Sequence, residues 1–146
     1  MTGATEHNNV SIAKEYFARL DAGSPALLEL FTEDAQIYFP KFGIGRGRQA
    51  IIEVLTGLGG TIQSIQHPSD SFVYIQSGNH LAVEGTSRGV LKNGAHWAAG
   101  ETPGGRFCNV FEFRGNLICR VHIYLDPDYG GADQQRFLWG DRQQSW

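Results

Sequence analysis

The sequence is poor in cysteine, has no excess of basic residues and has no long apolar run. Two cysteines among 146 residues are too few for a disulfide framework, so reduced thiols and a cytoplasmic location are the default expectation. No segment reaches the roughly 18 consecutive apolar residues of a membrane-spanning helix, so no membrane partner is expected. Twelve basic against fifteen acidic residues give a net charge of −3. Without a basic excess to neutralise phosphates, nucleic acid is not an expected partner either.

Metal and cofactor motifs are also missing. The five histidines have no spacing typical of a zinc site. The glycine-rich stretch GIGRGR (43–48) follows no strand of a βαβ unit, so it is not a phosphate-binding loop. The stretch DPDYGGAD (126–133) resembles a calcium loop, but its twelfth position is Phe137 instead of glutamate. We therefore expect neither a metal nor a cofactor.

The first third of the chain has the spacing of amphipathic helices. In the stretch NNVSIAKEYFARLDAG (8–23), apolar side chains recur every three or four residues, which predicts a helix. Ser24 and Pro25 then suit the cap and the first position of a second helix, SPALLELF. A short strand over residues 35–39 and a loop lead to a third predicted helix over residues 48–58.

From residue 61 onward the pattern changes to short strand-like segments separated by turn dipeptides. The dipeptides are Gly78-Asn79, Asn93-Gly94 and Gly115-Asn116, which are typical of tight β-hairpins. Helices followed by an antiparallel meander predict an α+β domain, in which the helices pack on one face of a curved sheet.

The last predicted hairpin carries more polar groups than a purely structural hairpin needs. With Gly115-Asn116 at the tip and a regular register, Asn109 lies opposite His122 and Phe107 lies opposite Tyr124. Because opposed residues share a face, we interpret one face as the wall of an internal cavity. That face is predicted to hold Phe107, Asn109, Phe111, Phe113, Ile118, Arg120, His122, Tyr124 and Asp126.

The other face of this hairpin is predicted to be largely apolar. It holds Val110, Val121 and Ile123, and an apolar surface of this kind is typical of a protein–protein interface. We expect a homodimer that buries these three residues. Cys108 and Cys119 do not face each other in this register, so both are expected to be free thiols.

The chain resembles the SnoaL-like branch of the nuclear-transport-factor-two-like superfamily in three stretches. They are YFARLDAGSPALLELFTEDAQIYFP (16–40), GRGRQAI (45–51) and FCNVFEFRGNLICRVHIYLDP (107–127). Relatives include ketosteroid isomerase, limonene epoxide hydrolase and SnoaL polyketide cyclase. The resemblance implies one domain over residues 1–146, with a core over about 10–127 and a C-terminal tail over 128–146. It implies a cone-shaped fold with an internal apolar pocket, and a dimer formed through the outer sheet face.

The resemblance to ketosteroid isomerase assigns roles to three positions. Tyr16 matches the oxyanion-binding tyrosine. Asn109 matches the protonated aspartate of the isomerase, and an asparagine amide can donate the same hydrogen bond. Phe39 stands where the isomerase has its catalytic base. The resemblance therefore implies that oxyanion binding is kept and that a base must come from elsewhere.

The resemblance to limonene epoxide hydrolase suggests a position for an acid. Asp126 matches the aspartate at the end of that enzyme's final strand, and Glu84 is a reserve base. His122 is predicted to work with Asp126, since an unperturbed histidine titrates near pH 6.5. Each residue also has a structural interpretation. Asp126 before proline can start a turn, Glu84 can face solvent, and Asn109 can form a satisfied core pair with His122.

These features predict a cofactor-independent enzyme that performs proton transfer or water addition on a small, apolar, oxygenated ligand. Its type would be an isomerase, dehydratase, cyclase or epoxide hydrolase. The alternative is a non-catalytic small-molecule-binding or dimerisation module, which the phenylalanine at the base position favours. The predicted catalytic residues are Tyr16, Asn109, His122, Asp126 and Glu84, and the predicted ligand-binding residues are Phe39, Phe107, Phe111, Tyr124 and Trp97.

Overall fold

The computed structural model describes residues 2–146, and the side chains from residue 8 onward. Within this range the chain forms two α-helices, three short 3₁₀ helices and nine strands, so the predicted α+β class is confirmed. None of the described helices is both long enough and apolar enough to cross a membrane. In chain order the elements are α1 (Thr2–Asp21), a 3₁₀ helix (Pro25–Leu30), β1 (Phe31–Phe39), β2 (Gly43–Arg46), α2 (Arg48–Gly59), β3 (Ile62–Gln66), a 3₁₀ helix (Ser69–Ser71), β4 (Val73–Ser77), β5 (His80–Thr86), β6 (Arg88–Leu91), β7 (His96–Ala98), β8 (Arg106–Arg114), β9 (Leu117–Leu125) and a 3₁₀ helix (Gln134–Arg136).

The break between the first two helices follows from three consecutive residues. Gly23 adopts a left-handed conformation with φ of +62°, which ends α1 at no steric cost. The hydroxyl of Ser24 accepts a hydrogen bond from the N–H of Ala26 at 3.2 Å, and Pro25 occupies the first turn of the next helix. The predicted boundary is therefore confirmed, although α1 begins at Thr2, earlier than the sequence pattern indicates.

The strands form a six-stranded sheet in the order β2-β1-β9-β8-β5-β4 and a three-stranded sheet in the order β3-β6-β7. The meander expected from the turn dipeptides is present, and β1 adds to it by pairing in parallel with β9. This pairing joins the early part of the chain to its last strand. The large sheet curves around the helices, as in a cone.

The main core lies between the helices and the inner face of the large sheet. The rings of Tyr16 and Phe17 on α1 meet that of Phe111 on β8, with the Tyr16 and Phe111 centroids 5.2 Å apart in an edge-to-face arrangement. Burial of each such side chain contributes about 1.5–3 kcal/mol. A smaller cluster of Leu91, Trp97 and Tyr129 supports the second sheet.

The β8–β9 hairpin departs from the predicted register two residue pairs beyond its tip. Arg114 pairs with Leu117 and Phe113 with Ile118, as predicted, but Glu112 then pairs with Arg120. Cys119 is thus the extra residue of a β-bulge. A bulge shifts the register by one residue, and a shift of one residue sends every later side chain of β9 to the opposite face. The predicted pairing of Asn109 with His122, and of Phe107 with Tyr124, is therefore wrong.

The bulge also changes the predicted dimer surface. Asn109 pairs with Ile123 and Val110 pairs with His122, so Val121 and Ile123 point into the core and are buried there. Of the three residues named for the interface, only Val110 lies on the outer face. The homodimer itself stays a prediction.

The two cysteines lie apart in the hairpin. Cys108 pairs with Tyr124 across the hairpin. Cys119 donates a hydrogen bond from its thiol to the carbonyl oxygen of Glu112 at 3.4 Å. Both are free, which agrees with the prediction of two free thiols.

Candidate active site in the internal cavity

A cavity of about 610 Å³ lies between the helices and the inner face of the large sheet. Its walls come from both α-helices, the 3₁₀ helix Pro25–Leu30, β1, β3, β8 and β9, and from Tyr129. Most lining side chains are apolar, among them Leu27, Val54 and Ile123. A cavity of this size and lining is typical of a site for an apolar small molecule.

Asn109 places an amide in this apolar lining. It lies on the inner face of β8, only 3% of its surface is exposed, and it lines the cavity. Its side-chain oxygen Oδ1 is buried and has no hydrogen-bond partner among the side chains that the structure describes. Leaving such a group unpaired costs about 1–3 kcal/mol, so a hydrogen-bond donor of a bound ligand would recover this energy.

Two buried tyrosines also line the cavity. Burial raises the pKa of Tyr16 far above its ordinary value, and the nearby Tyr129 and Asp21 raise it further. Burial raises the pKa of Tyr129 to about 12. Both hydroxyl groups therefore keep their protons at neutral pH and can donate hydrogen bonds to an oxygen atom of a ligand.

Asp21 and His67 form a close pair on the cavity wall. One carboxylate oxygen of Asp21 lies 2.5 Å from Nδ1 of His67, and the other accepts a hydrogen bond from the backbone N–H of His67 at 2.7 Å. The imidazole packs against the rings of Phe17 and Phe107, with centroid distances of 5.1 and 5.4 Å. The carboxylate holds the proton on Nδ1 and leaves Nε2 as the basic nitrogen, as in other Asp–His pairs that move protons.

A second pocket of about 450 Å³ also borders this pair. It shares Asp21 and His67 with the apolar cavity, and its remaining lining is mostly polar, including Arg88 and Glu101. The Asp21–His67 pair therefore stands between an apolar space and a polar one.

A sequence model of the SnoaL-like domain matches residues 13–121, which is most of the chain. The chain belongs to the SnoaL-like domain family. The matched segment includes Tyr16, Asp21, His67 and Asn109, whereas Tyr129 and the C-terminal tail lie beyond it. No curated protein gives a significant match to the chain.

Solved structures show the same fold at low sequence identity. An NTF2-like protein from Anabaena variabilis shares 22% identity, with a TM-score of 0.71 over 89% of this chain and 97% of that one. A candidate polyketide cyclase from Xanthomonas campestris pv. campestris shares 18% identity, with a TM-score of 0.71 over 83% and 92% of the two chains. TerC, co-crystallised with polyporic acid, shares 15% identity, with a TM-score of 0.67 over 82% and 92%.

Four of the predicted catalytic and ligand-binding residues line the cavity of this SnoaL-like domain. They are Tyr16, Phe39, Phe107 and Asn109. Phe111 is fully buried behind Tyr16 instead. Trp97 lies in the smaller core cluster, where its indole N–H donates to the hydroxyl of Ser87 at 3.0 Å.

The remaining predicted residues lie outside the cavity, so the prediction that Tyr16, Asn109, His122 and Asp126 share one cavity is wrong. The bulge at Cys119 carries His122 and Tyr124 to the outer face of the sheet. Glu84 is exposed on that face, opposite Cys108.

Asp126 follows β9 directly and is exposed. Its Oδ1 accepts a hydrogen bond from the N–H of Asp128 at 2.9 Å, which is the turn geometry that aspartate favours. The structural interpretation of Asp126 thus holds, and neither Asp126 nor His122 can supply the base inside this SnoaL-like domain.

The Asp21–His67 pair is not among the residues predicted from the sequence. These residues are 46 positions apart, and neither lies in a motif with a recognisable spacing. The available signal is indirect: Asp21 and Tyr16 are five residues apart at the end of one predicted helix, so a cavity that contains Tyr16 also lies close to Asp21. His67 has no comparable signal, because only the packing of β3 against α1 brings it there.

Proposed function

We propose that this SnoaL-like domain is an acid–base enzyme for a small, mostly apolar molecule that carries oxygen functions on a ring system. His67, held by Asp21, moves the proton, while Tyr16 and Asn109 bind the oxygen atom at which negative charge develops. The observation that carries the proposal is the Asp21–His67 pair on the wall of the cavity that also contains Asn109. The reaction class is proton transfer next to a carbonyl, of the isomerisation or cyclisation type.

The Asp21–His67 pair supplies a general base, which Phe39 cannot do. A general base must reach the ligand, and its pKa should lie near the working pH. Histidine is the side chain used most often for this task. Asp21 fixes the tautomer and stabilises the imidazolium that forms when Nε2 takes a proton. The flanking rings of Phe17 and Phe107 restrict the imidazole to one orientation, which reduces the entropy lost on reaction.

Tyr16 and Asn109 supply the complementary half of the reaction. Removal of a proton next to a carbonyl places negative charge on the carbonyl oxygen. Buried donors that are already oriented stabilise this charge strongly, because no solvent must reorganise around it. The raised pKa of Tyr16 keeps its hydroxyl protonated throughout, so it donates a hydrogen bond and does not compete as a base.

The structural relatives agree with the substrate class. One similar structure is named as a candidate polyketide cyclase, and TerC was crystallised with polyporic acid. The apolar walls of the cavity described above suit molecules of this kind. We therefore propose an oxygenated ring compound as the ligand class.

A non-catalytic binding domain is the second candidate, and one contact favours it. The second oxygen of Asp21 binds the backbone N–H of His67, so Asp21 also fastens the end of α1 to the chain after β3. A carboxylate with only this structural task would make the same contacts. The two candidates differ in whether His67 transfers a proton.

Deuterium exchange separates them without knowledge of the natural substrate. We suggest 2-tetralone, a bicyclic ketone with exchangeable hydrogens beside its carbonyl, as the probe in D₂O, with the loss of the proton signals followed by NMR. The wild type should accelerate exchange, and His67→Gln should reduce the enzymatic rate roughly a hundredfold or more, as loss of a general base does. His80→Gln is the matched control, because His80 is an exposed histidine on the outer face.

Binding is measured separately on the same variants by titration of the probe. Equal affinity of wild type and His67→Gln, with exchange lost only in the variant, supports the enzyme. Binding without any acceleration by the wild type would leave only the second candidate. Unchanged exchange in His67→Gln would show that the base is another residue.

A further inference from the structure

The outer face of the large sheet carries a polar cluster that the cavity chemistry does not use. Strand pairing places Arg46, Gln36 and Arg120 side by side on β2, β1 and β9. His122 and Tyr124 follow on the same face of β9, two and four residues beyond Arg120. All five side chains lie on the opposite side of the sheet from Asn109.

Gln36 connects Arg46 to His122. One end of its amide lies 2.7 and 3.2 Å from the two terminal nitrogens of Arg46, and the other end lies 2.8 Å from Nε2 of His122. Because a guanidinium can only donate hydrogen bonds, the amide oxygen belongs next to Arg46. The amide nitrogen then donates to Nε2 of His122.

This arrangement leaves Arg120 without an acceptor. If Nε2 of His122 accepts, the neutral ring carries its hydrogen on Nδ1. Nδ1 lies 3.3 Å from the hydroxyl of Tyr124, whose oxygen can accept from it, and 3.1 Å from a terminal nitrogen of Arg120. The Nδ1–H group therefore also faces the N–H groups of Arg120. In the opposite tautomer Arg120 gains its acceptor, but the amide nitrogen of Gln36 must turn against Arg46. Either arrangement sets one arginine against a donor.

The acidic side chains do not supply the missing hydrogen-bond acceptor. Glu112 pairs with Arg120 in the strand register, but its carboxylate lies 3.6 Å from Nε2 of His80 on the neighbouring strand. Within residues 8–146, neither Arg46 nor Arg120 forms an ion pair. The cluster has more hydrogen-bond donors than acceptors, and it carries two positive charges.

We propose that this cluster binds an oxyanion, a phosphate or a carboxylate, at Arg120 on the outer face of the sheet. The guanidinium of Arg120, the Nδ1–H group of His122 and the hydroxyl of Tyr124 donate to it, and Arg46 adds a second positive charge close by. Charge-assisted bonds of this kind are among the strongest hydrogen bonds in proteins. The oxyanion comes either from solution or from a carboxylate of a second copy of the chain docked on this face.

An NMR titration with sodium phosphate tests the site directly. Protein with ¹⁵N-labelled histidine is titrated at constant ionic strength, and His122→Gln assigns the ring signals. We expect a saturable change in the His122 nitrogens that ends in the Nδ1–H tautomer. Arg120→Gln should abolish the response, with a thermal melt to check that it folds. The matched control Arg88→Gln, which changes an exposed arginine on the smaller sheet, should leave the response unchanged.

Sedimentation of the same samples distinguishes the two sources of the oxyanion. If a second copy supplies a carboxylate, the wild type is a dimer, phosphate leaves the His122 signals unchanged, and Arg120→Gln dissociates the dimer. A phosphate response that survives in Arg120→Gln would overturn the proposal. So would a wild type that does not respond to phosphate and whose oligomeric state Arg120→Gln does not change.

Glu112→Gln should bind phosphate at least as tightly, and loss of binding in this variant would identify Glu112 as part of the site and contradict the proposed donor set.

Discussion

The two faces of the β8–β9 hairpin differ more than their sequences suggest. Both contain apolar and polar residues, yet the inner face buries Phe111, Val121 and Ile123 against the helices, with Asn109 as its polar exception. The outer face carries Arg120 and its polar neighbours in a network of hydrogen bonds. One face holds a polar atom that lacks a partner, and the other holds donors that lack an acceptor.

This difference shows that the presence of polar residues with catalytic chemistry does not determine which face of a strand points inward. Val121, Ile123 and Leu125 alternate with Arg120, His122 and Tyr124 along β9, and burial of the aliphatic set contributes about 1.5–3 kcal/mol for each side chain. The polar set would lose its solvation in the core without a comparable gain. The bulge at Cys119 lets the aliphatic set face inward while the turn at Gly115-Asn116 keeps its geometry.

The two faces of the sheet should differ most clearly in their tolerance of a charged side chain. Val121→Lys introduces an ammonium group at a fully buried position and should reduce the free energy of unfolding by more than about 4 kcal/mol. Ile75→Lys, at an exposed position of β4, should change it by less than about 0.5 kcal/mol. Urea denaturation followed by circular dichroism measures both. Similar losses in the two variants would mean that the faces are misassigned.

Deletion of Cys119 tests whether the bulge sets the faces. Without it, Ile118 still pairs with Phe113 and Arg120 still pairs with Glu112, so every other side chain keeps its face. We expect a folded protein that is destabilised by about 1–2 kcal/mol, the ordinary range for a local change. A dispersed two-dimensional NMR spectrum is the measurement. If the register were regular, the same deletion would exchange the two faces of β9 and unfold the protein. An NMR spectrum typical of an unfolded chain would therefore contradict the bulge.

Asn109→Leu should sharpen the contrast by removing the one polar group from the inner face. Because the buried Oδ1 lacks a partner, the substitution should stabilise the protein by about 1 kcal/mol. It should also weaken binding of 2-tetralone, since the carbonyl oxygen of the probe loses the side-chain N–H group of Asn109 that donates to it. Thermal melts and titration report the two effects. A loss of stability instead would show that the amide already has a partner, such as a bound water molecule.

The outer face should show its own dependence on pH. Burial, and then the charge of Arg120, lowers the pKa of His122, so the folded state binds this proton less readily than the unfolded state. The stabilising contribution is therefore complete above the ordinary histidine pKa and is lost as the pH falls through the lowered value. Subtracting the stability of His122→Gln from that of the wild type between pH 4 and 8 isolates the effect. A difference that grows as the pH falls would contradict the sign.

The cysteines give the smallest expected effect. Burial raises the pKa of both thiols, and nearby Glu84 and Glu112 raise those of Cys108 and Cys119, respectively. Both thiols should therefore react slowly with a disulfide reagent at neutral pH in the folded protein. After denaturation without reductant, the count should be two. Rapid native reaction of either thiol would show that the outer face opens more readily than its hydrogen bonds indicate.

The sequence predicted the helices, the turn positions and the fold family because each has a local or family-wide signature. Ser24 and Pro25 mark a helix start by their chemistry, and glycine at position 115, where φ is +62°, suits the first central residue of a type II′ turn. The resemblance also led to Tyr16, Asn109 and Phe39, which all line the cavity. These inferences do not depend on how distant strands pair.

The errors along β9 have one physical origin. A bulge adds a single residue that no turn motif marks, and its only signal is a change of phase between Ile118 and Val121 in the apolar alternation. A regular register extended from the turn does not use this signal. The contact between Asp21 and His67 depends on tertiary packing alone, so no local pattern could predict it.

The parallel pairing of β1 with β9 has a consequence for how the chain is made. Tyr38 pairs with His122, so the edge of β1 that faces β9 stays open until β9 has left the ribosome. Pairings between such distant segments raise the contact order, and proteins of high contact order fold slowly. Residues 31–39, rich in aromatic and aliphatic side chains, are therefore the segment most in need of protection from aggregation during synthesis.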